Sequence, residues 1–121
     1  MLKPKAPQKK GQTYFRKKGS EKVKKQARDK KKSCEICGKT NCQLHGHHIL
    51  GEGAHPRMSN QIKNIIVVCA HCHTLGKISF HGASKEIWEI FDRRFPNRYE
   101  NLIEIEKTRT NVDYEKEYYE L

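Results

Sequence analysis

The sequence has few apolar residues and lacks any long apolar run. Only 35% of its 121 residues are hydrophobic, and no stretch approaches the roughly 20 apolar residues of a membrane-spanning helix. A transmembrane protein is therefore excluded. The N-terminal residues also lack the apolar stretch of a secretory signal peptide, so we expect a cytoplasmic protein.

Positive charge is abundant but unevenly distributed. Residues 1–32 hold 14 Lys and Arg residues against two acids, a net charge of +12, whereas residues 33–121 hold 11 against 12, a net charge of −1. The basic segment has too few large apolar residues to fold alone. It is either a solvated tail that aids solubility or a disordered or helical arm that binds nucleic acid, and we favour the arm. The candidate nucleic-acid contacts, including one arginine from a later loop, are Lys17, Lys18, Lys24, Lys25, Lys30, Lys31, Lys32 and Arg57.

Five cysteines in a chain that is not exported favour metal binding over disulfides. Four of them form two C-x2-C pairs separated by 31 residues: Cys34 with Cys37, and Cys69 with Cys72. Two such pairs can complete a tetrahedral zinc site. An alternative remains open, in which the first pair binds zinc together with Cys42 and His47, but it leaves the second pair unexplained.

The segment between the cysteine pairs predicts two strands. They are Gln43–Leu50 and Asn64–Val68, the second being a β-branched run typical of a buried strand. A short helical stretch follows over Ala70–Ile78. The sequence therefore predicts an α+β fold. Its predicted parts are a basic arm over 1–32 and a folded domain over 33–121, which divides into a metal-bound core over 34–82 and supporting helices over 84–121.

Polar residues lie at the ends of these predicted elements. His47-His48 ends the first strand, Asn64 opens the second, and His73 follows the second cysteine pair. Together with the cysteine pairs, this pattern over residues 34–73 resembles the HNH endonucleases, which have a ββα-metal fold. The chain looks similar to the small phage-type members of that family beyond this stretch as well.

The resemblance implies metal-dependent hydrolysis of phosphodiester bonds in DNA, leaving a 5′-phosphate and a 3′-hydroxyl. His47 and His73 would bind one divalent ion, usually Mg²⁺ or Mn²⁺. His48 would be the general base, and Asn64 would fix the loop and orient His48. Many members have Asp in place of His47. Because imidazole favours softer ions, we expect Mn²⁺, Co²⁺ or Ni²⁺ to support at least as much activity as Mg²⁺.

The other histidines are less clearly placed. His81 lies eight residues after His73 and is a candidate third ligand of the divalent ion, a phosphate contact or an ordinary surface residue. We expect His45, His55 and His71 to be surface or loop residues.

Two functional classes follow from these observations. The first is a DNA endonuclease in the cytoplasm, the bacterial host's if a phage encodes it, and a homodimer if it cuts both strands. The second is a non-catalytic zinc module that binds nucleic acid. RNA stays open as a substrate, since composition does not separate it from DNA.

Overall fold

Two short antiparallel strands lie at the centre of the fold. The computed structural model describes residues 10–75, 79–81 and 84–121. In it β1 (Leu44–His48) pairs with β2 (Ile65–Cys69) so that His48 lies opposite Ile65. Every residue of β2 is buried, as expected for a β-branched run covered on both faces. Both predicted strands and the α+β class are confirmed.

The basic segment forms a helix that covers one face of the sheet. Helix α1 spans Gln12–Lys31. Four of its five buried residues recur at every fourth position and form one stripe: Phe15, Gly19, Val23 and Ala27. The fifth is Ser20. Val23 and Ala27 pack against Ile65 and Val67 of β2. The segment thus folds against the sheet, because small residues in the stripe let the helix approach closely. Residues 1–9 of the predicted arm lie outside the described residues.

The C-terminal helices complete the core. Helices α2 (Lys85–Arg94) and α3 (Arg98–Lys107) cover the opposite face of the sheet from α1. Helix α4 (Tyr114–Tyr119) instead packs on α1, where two tyrosine rings lie 5.7 Å from the Phe15 ring. Within the described part of the chain, no helix combines the length and the apolar character needed to cross a bilayer.

A single π-helical turn over His71–Leu75 follows β2. Of the helix predicted over Ala70–Ile78, the described residues therefore show mainly this one turn. Residues 76–78 of the prediction lie outside the described residues. The chain then returns along the turn: the backbone N–H groups of Phe80 and His81 donate to the carbonyls of Cys72 and His73, both at 2.9 Å. This return places His81 beside His73.

Replacing Gly19 with alanine should destabilise the protein, although alanine normally favours a helix interior. A Cβ at position 19 would lie 2.3 Å from the Nδ2 atom of Asn60, which is fully buried. We expect the free energy of unfolding to fall by about 1–3 kcal/mol, as in other overpacked cores. Urea unfolding measures this, with Gly53→Ala as the control because nothing lies within 4 Å of its Cβ position. An equal stability of the two variants would contradict the close packing.

Candidate metal centres and catalytic cleft

The two cysteine pairs meet at one point beside the sheet. The sulfur atoms of Cys34, Cys37, Cys69 and Cys72 all lie within 4.8 Å of one another. Gly38, directly after the first pair, has a φ of 78°, which glycine adopts without strain, and its N–H donates to the Cys34 carbonyl at 2.9 Å. These four cysteines, called the cysteine quartet below, could hold a metal ion such as zinc. Cys42 lies outside the quartet, and its Sγ contacts the Lys39 carbonyl at 3.7 Å.

The thiols of the quartet influence each other's ionisation. Burial raises the pKa of Cys37 and of Cys72, and the neighbouring sulfurs add to the rise. For Cys34 burial also acts to raise the pKa, but hydrogen bonds from backbone N–H groups outweigh it and lower the value to about 7. Four thiolates this close would repel each other, and a bound cation would remove that repulsion. The donor set therefore fits a divalent metal.

Three histidines converge at a second point. Nitrogen atoms of His47, His73 and His81 lie within 4.8 Å of one another, and these residues are called the histidine trio below. His47 lies on the face of β1 opposite α1, where its ring stacks on Phe80 with centroids 4.6 Å apart. The position of His81 comes from the backbone return after the π turn, not from a continuous helix.

Two histidines of the trio, His47 and His73, have the protonation state that a metal site needs. Burial, followed by repulsion from His81, lowers the pKa of His73 to about 4. Burial, followed by repulsion from His81 and His73, lowers the pKa of His47 to about 3. Both rings are therefore neutral at neutral pH and keep a nitrogen lone pair. Because the trio offers only imidazole nitrogens, it fits Mn²⁺, Co²⁺, Ni²⁺ or Zn²⁺ better than Mg²⁺.

His45 contacts the trio, although the sequence predicts a surface or loop position. It is half-buried, and its Nδ1 lies 2.9 Å from the Nδ1 of His73. One of these nitrogens must carry the proton. If His73 donates, its Nε2 keeps the lone pair for an ion, which is how a neighbouring acceptor orients a metal-binding imidazole. His45 thus orients the His73 ring of the trio through this contact.

His48 faces α1, on the other side of β1 from His47. It is only 8% exposed, and its Nε2 lies 2.9 Å from the Ser59 carbonyl oxygen, 3.3 Å from Ser20 Oγ and 3.3 Å from Glu52 Oε1. A nitrogen that contacts a carbonyl carries the proton, so the lone pair of neutral His48 is on Nδ1. Burial lowers the pKa of His48, while the Ser59 carbonyl and Glu52 act in the opposite direction.

Asn64 fixes the loop that follows β1. Its Oδ1 accepts from the Leu50 N–H at 2.8 Å, and its Nδ2 donates to the carbonyls of Leu50 and Met58 at 3.0 and 3.2 Å. Asn64 is fully buried. Its contact with the predicted base is indirect, because the carbonyl that holds His48 belongs to Ser59, the residue after Met58.

Both sides of the end of β1 open into one cavity of about 260 Å³, called the cleft below. Its lining residues are Lys24, Gly46, His47, His48, Gly51, Glu52, His73 and His81. His47 and His48 point to opposite faces of the strand, yet both reach this cavity. The cleft therefore brings the two predicted roles, metal ligand and base, to one place.

Two residues beside the cleft, Ser20 and Arg16, contact its lining residue Glu52, and no sequence pattern singled them out. Ser20 donates to Glu52 Oε1 at 2.6 Å, and Arg16 lies 3.5 Å from Glu52 Oε2. Ser20 is 28 residues from His48, and a polar residue at that distance in a basic segment resembles any other surface residue. Only the packing of α1 reveals its position.

The predicted nucleic-acid contacts have different environments. Most of the lysines are exposed on α1 or at its C-terminal end: Lys17, Lys18, Lys25, Lys30, Lys31 and Lys32. Lys24 is half-buried at the cleft. Arg57 is half-buried and is not among the lining residues of the cleft. Its guanidinium donates to the Arg109 carbonyl at 2.7 Å, and the Arg109 guanidinium donates to the Arg57 carbonyl at 3.0 Å. Arg57 therefore ties its loop to the segment before α4.

No protein-family model, curated protein or solved structure matches this chain. The likeness to HNH endonucleases therefore remains a prediction from the residues quoted above.

Proposed function

We propose that the protein is a metal-dependent endonuclease of the HNH type that hydrolyses phosphodiester bonds in DNA. The observation that supports it most strongly is the convergence of the histidine trio and His48 on one cleft. We further propose that the cysteine quartet holds zinc in a structural role, since four thiolates in a closed set are typical of such sites.

The proposed roles follow from the geometry. The histidine trio would hold one divalent ion, which neutralises charge on the phosphate and the departing oxygen when bound. His48 Nδ1 accepts a proton from water as the water oxygen bonds to phosphorus. The bond from phosphorus to the 3′-oxygen then breaks, and the 3′-oxygen takes a proton from solvent. The products are a 5′-phosphate and a 3′-hydroxyl.

Nucleic acid is the expected partner because of the charge on α1. Its exposed lysines lie on the helix that also covers the cleft, so a phosphate backbone bound along α1 would lie beside the trio. A non-catalytic zinc module would use the same lysines and the cysteine quartet. It would have no use for a cluster of three histidines beside a fourth that has a free lone pair.

The proposal is tested by cleavage of supercoiled plasmid with the zinc-loaded full chain and one added metal at a time. We expect nicked or linear DNA, with Mn²⁺, Co²⁺ or Ni²⁺ giving at least the rate that Mg²⁺ gives, because the trio has no carboxylate. His81→Ala should weaken Mn²⁺ binding in calorimetry. The matched control is His71→Ala, which removes an exposed histidine outside the trio.

Two outcomes would count against this proposal. A clear preference for Mg²⁺ would contradict the histidine ligands. Tight binding without cleavage of duplex, branched or single-stranded DNA, or of RNA, would make the zinc module the better interpretation. Cleavage of RNA alone would keep the chemistry and change the substrate.

A further inference from the structure

Lys24 is the basic residue of α1 that lies in the cleft. The helix and β1 approach so closely here that a Cβ on Gly46 would lie 2.8 Å from the Cβ and Cγ atoms of Lys24 and 3.1 Å from its Cα. Only glycine fits opposite Lys24. The Cβ and Cγ atoms of Lys24 are therefore held in place beside the cleft, unlike those of an exposed lysine.

The positive charge of Lys24 has no counter-ion within the part of the chain that the structure describes. Other lysines of α1 pair with acids, as Lys25 does with Asp29 at 3.0 Å, but among the described residues Lys24 has no ion-pair partner. Glu52 is the one acid among the described residues of the cleft, and it is bound by Ser20 and Arg16. Lys24 in the cleft and Arg16 beside it therefore supply two positive charges against the one negative charge of Glu52, and this net positive charge suits an anionic ligand.

Lys24 lines the same cavity as the histidine trio and His48. One lysine side chain thus borders the space shared by the trio and the predicted base. A phosphate held in this cavity would lie beside it.

We propose that Lys24 is a catalytic residue that contacts a non-bridging oxygen of the scissile phosphate, so that α1 completes the active site. This inference rests on the proposed nuclease function and adds a residue to it. Negative charge grows on the phosphoryl oxygens as water adds to phosphorus, and a fixed cation there stabilises the transition state more than the ground state. Lys24 transfers no proton in this step.

The neighbouring residues of α1 hold Lys24 in register with the base. Arg16, Ser20 and Lys24 are spaced four residues apart and so share one face of the helix. Arg16 and Ser20 both bind Glu52, and Ser20 Oγ lies 3.3 Å from His48 Nε2. Lys24 is one helical turn from Ser20, so the contact between Ser20 and His48 sets the position of this face of α1 relative to the base, as preorganised catalysis requires.

The test compares Lys24→Met with Lys107→Met. Both variants lose one positive charge, but Lys107 is exposed on α3, outside the cleft, and pairs with Glu104 at 2.9 Å. With protein in excess over a DNA duplex and Mn²⁺ present, we expect Lys24→Met to cleave bound duplex about 10²- to 10³-fold more slowly, the usual loss when one charge-stabilising donor is removed. Lys107→Met should stay within about twofold of wild type, because it removes a surface charge that is not part of the cleft.

Two further measurements separate a catalytic role from a structural one. Calorimetric Mn²⁺ affinity and the melting temperature should be the same in both variants, and Lys24→Arg should recover part of the rate. If Lys24→Met unfolds, Lys24→Gln replaces it. Wild type that cuts, together with equal rates for the Lys24 and Lys107 variants, would overturn the role of Lys24 alone. A tenfold loss of Mn²⁺ affinity in Lys24→Met would also overturn it. Wild type that cuts nothing overturns the nuclease proposal itself.

Discussion

Replacing His48 with alanine should slow cleavage of bound DNA by about 10²- to 10⁴-fold, the usual contribution of a general base. His48 is held at Nε2 by the Ser59 carbonyl, which leaves Nδ1 as the basic atom. Because the histidine trio and the exposed lysines of α1 stay in place, DNA affinity and metal content should not change. Single-turnover cleavage, with binding measured on the same duplex, checks this result.

A second variant distinguishes a base from a structural residue. His48→Gln keeps an amide N–H that can donate to the Ser59 carbonyl but has no basic nitrogen at the position of Nδ1. It should be as inactive as His48→Ala. If His48→Gln cuts at the wild-type rate, the imidazole only supports the loop and the base must be another group.

Loss of one cysteine of the quartet should unfold the protein. Cys34 is buried and belongs to the main hydrophobic core together with Cys69 and Cys72 of the quartet. Structural zinc contributes about 10–16 kcal/mol of folding free energy in zinc-finger peptides, which matches the total stability of about 5–15 kcal/mol of an ordinary domain. We therefore expect Cys34→Ser to lose its bound zinc and its cooperative thermal transition.

The fifth cysteine provides the control. Cys42 lies outside the quartet, so Cys42→Ser should keep one zinc per chain and the wild-type melting temperature. Zinc release measured with a chromogenic chelator, together with circular dichroism, follows both properties. A Cys34→Ser protein that lacks zinc but melts like wild type would show that the quartet is not a folding element.

The strands and the cysteine quartet could be predicted because their signals are local. The β-branched run Ile65–Val68 indicates a buried strand, and two C-x2-C pairs at the ends of a hairpin must come together when the hairpin forms. The strand ends differ from the prediction by only one or two residues. The β-branched run and the spacing of the cysteines were therefore enough to predict the strands and the quartet.

The position of α1 could not be predicted because the segment is polar in composition. Its stripe uses glycine and alanine, which allow close packing but add little apolar character, so the segment resembles a solvated arm. The Ser20 and Glu52 contacts of His48 depend on that packing. His81 joins the trio for a different reason, since backbone hydrogen bonds return the chain beside His73 and no helical period places it there.

The alternation of side chains along β1 makes the length of the strand a chemical constraint. His47 serves the trio on one face and His48 contacts Ser20 on the other, with Gly46 as the only residue that fits under Lys24. Inserting or deleting one residue ahead of Gly46 would rotate the strand by half a period and exchange the two histidines. The proposed metal ligand would then face α1, and the proposed base would face His73 and His81. A substitution in this strand can leave both histidines on their own faces, whereas the insertion or deletion of one residue cannot.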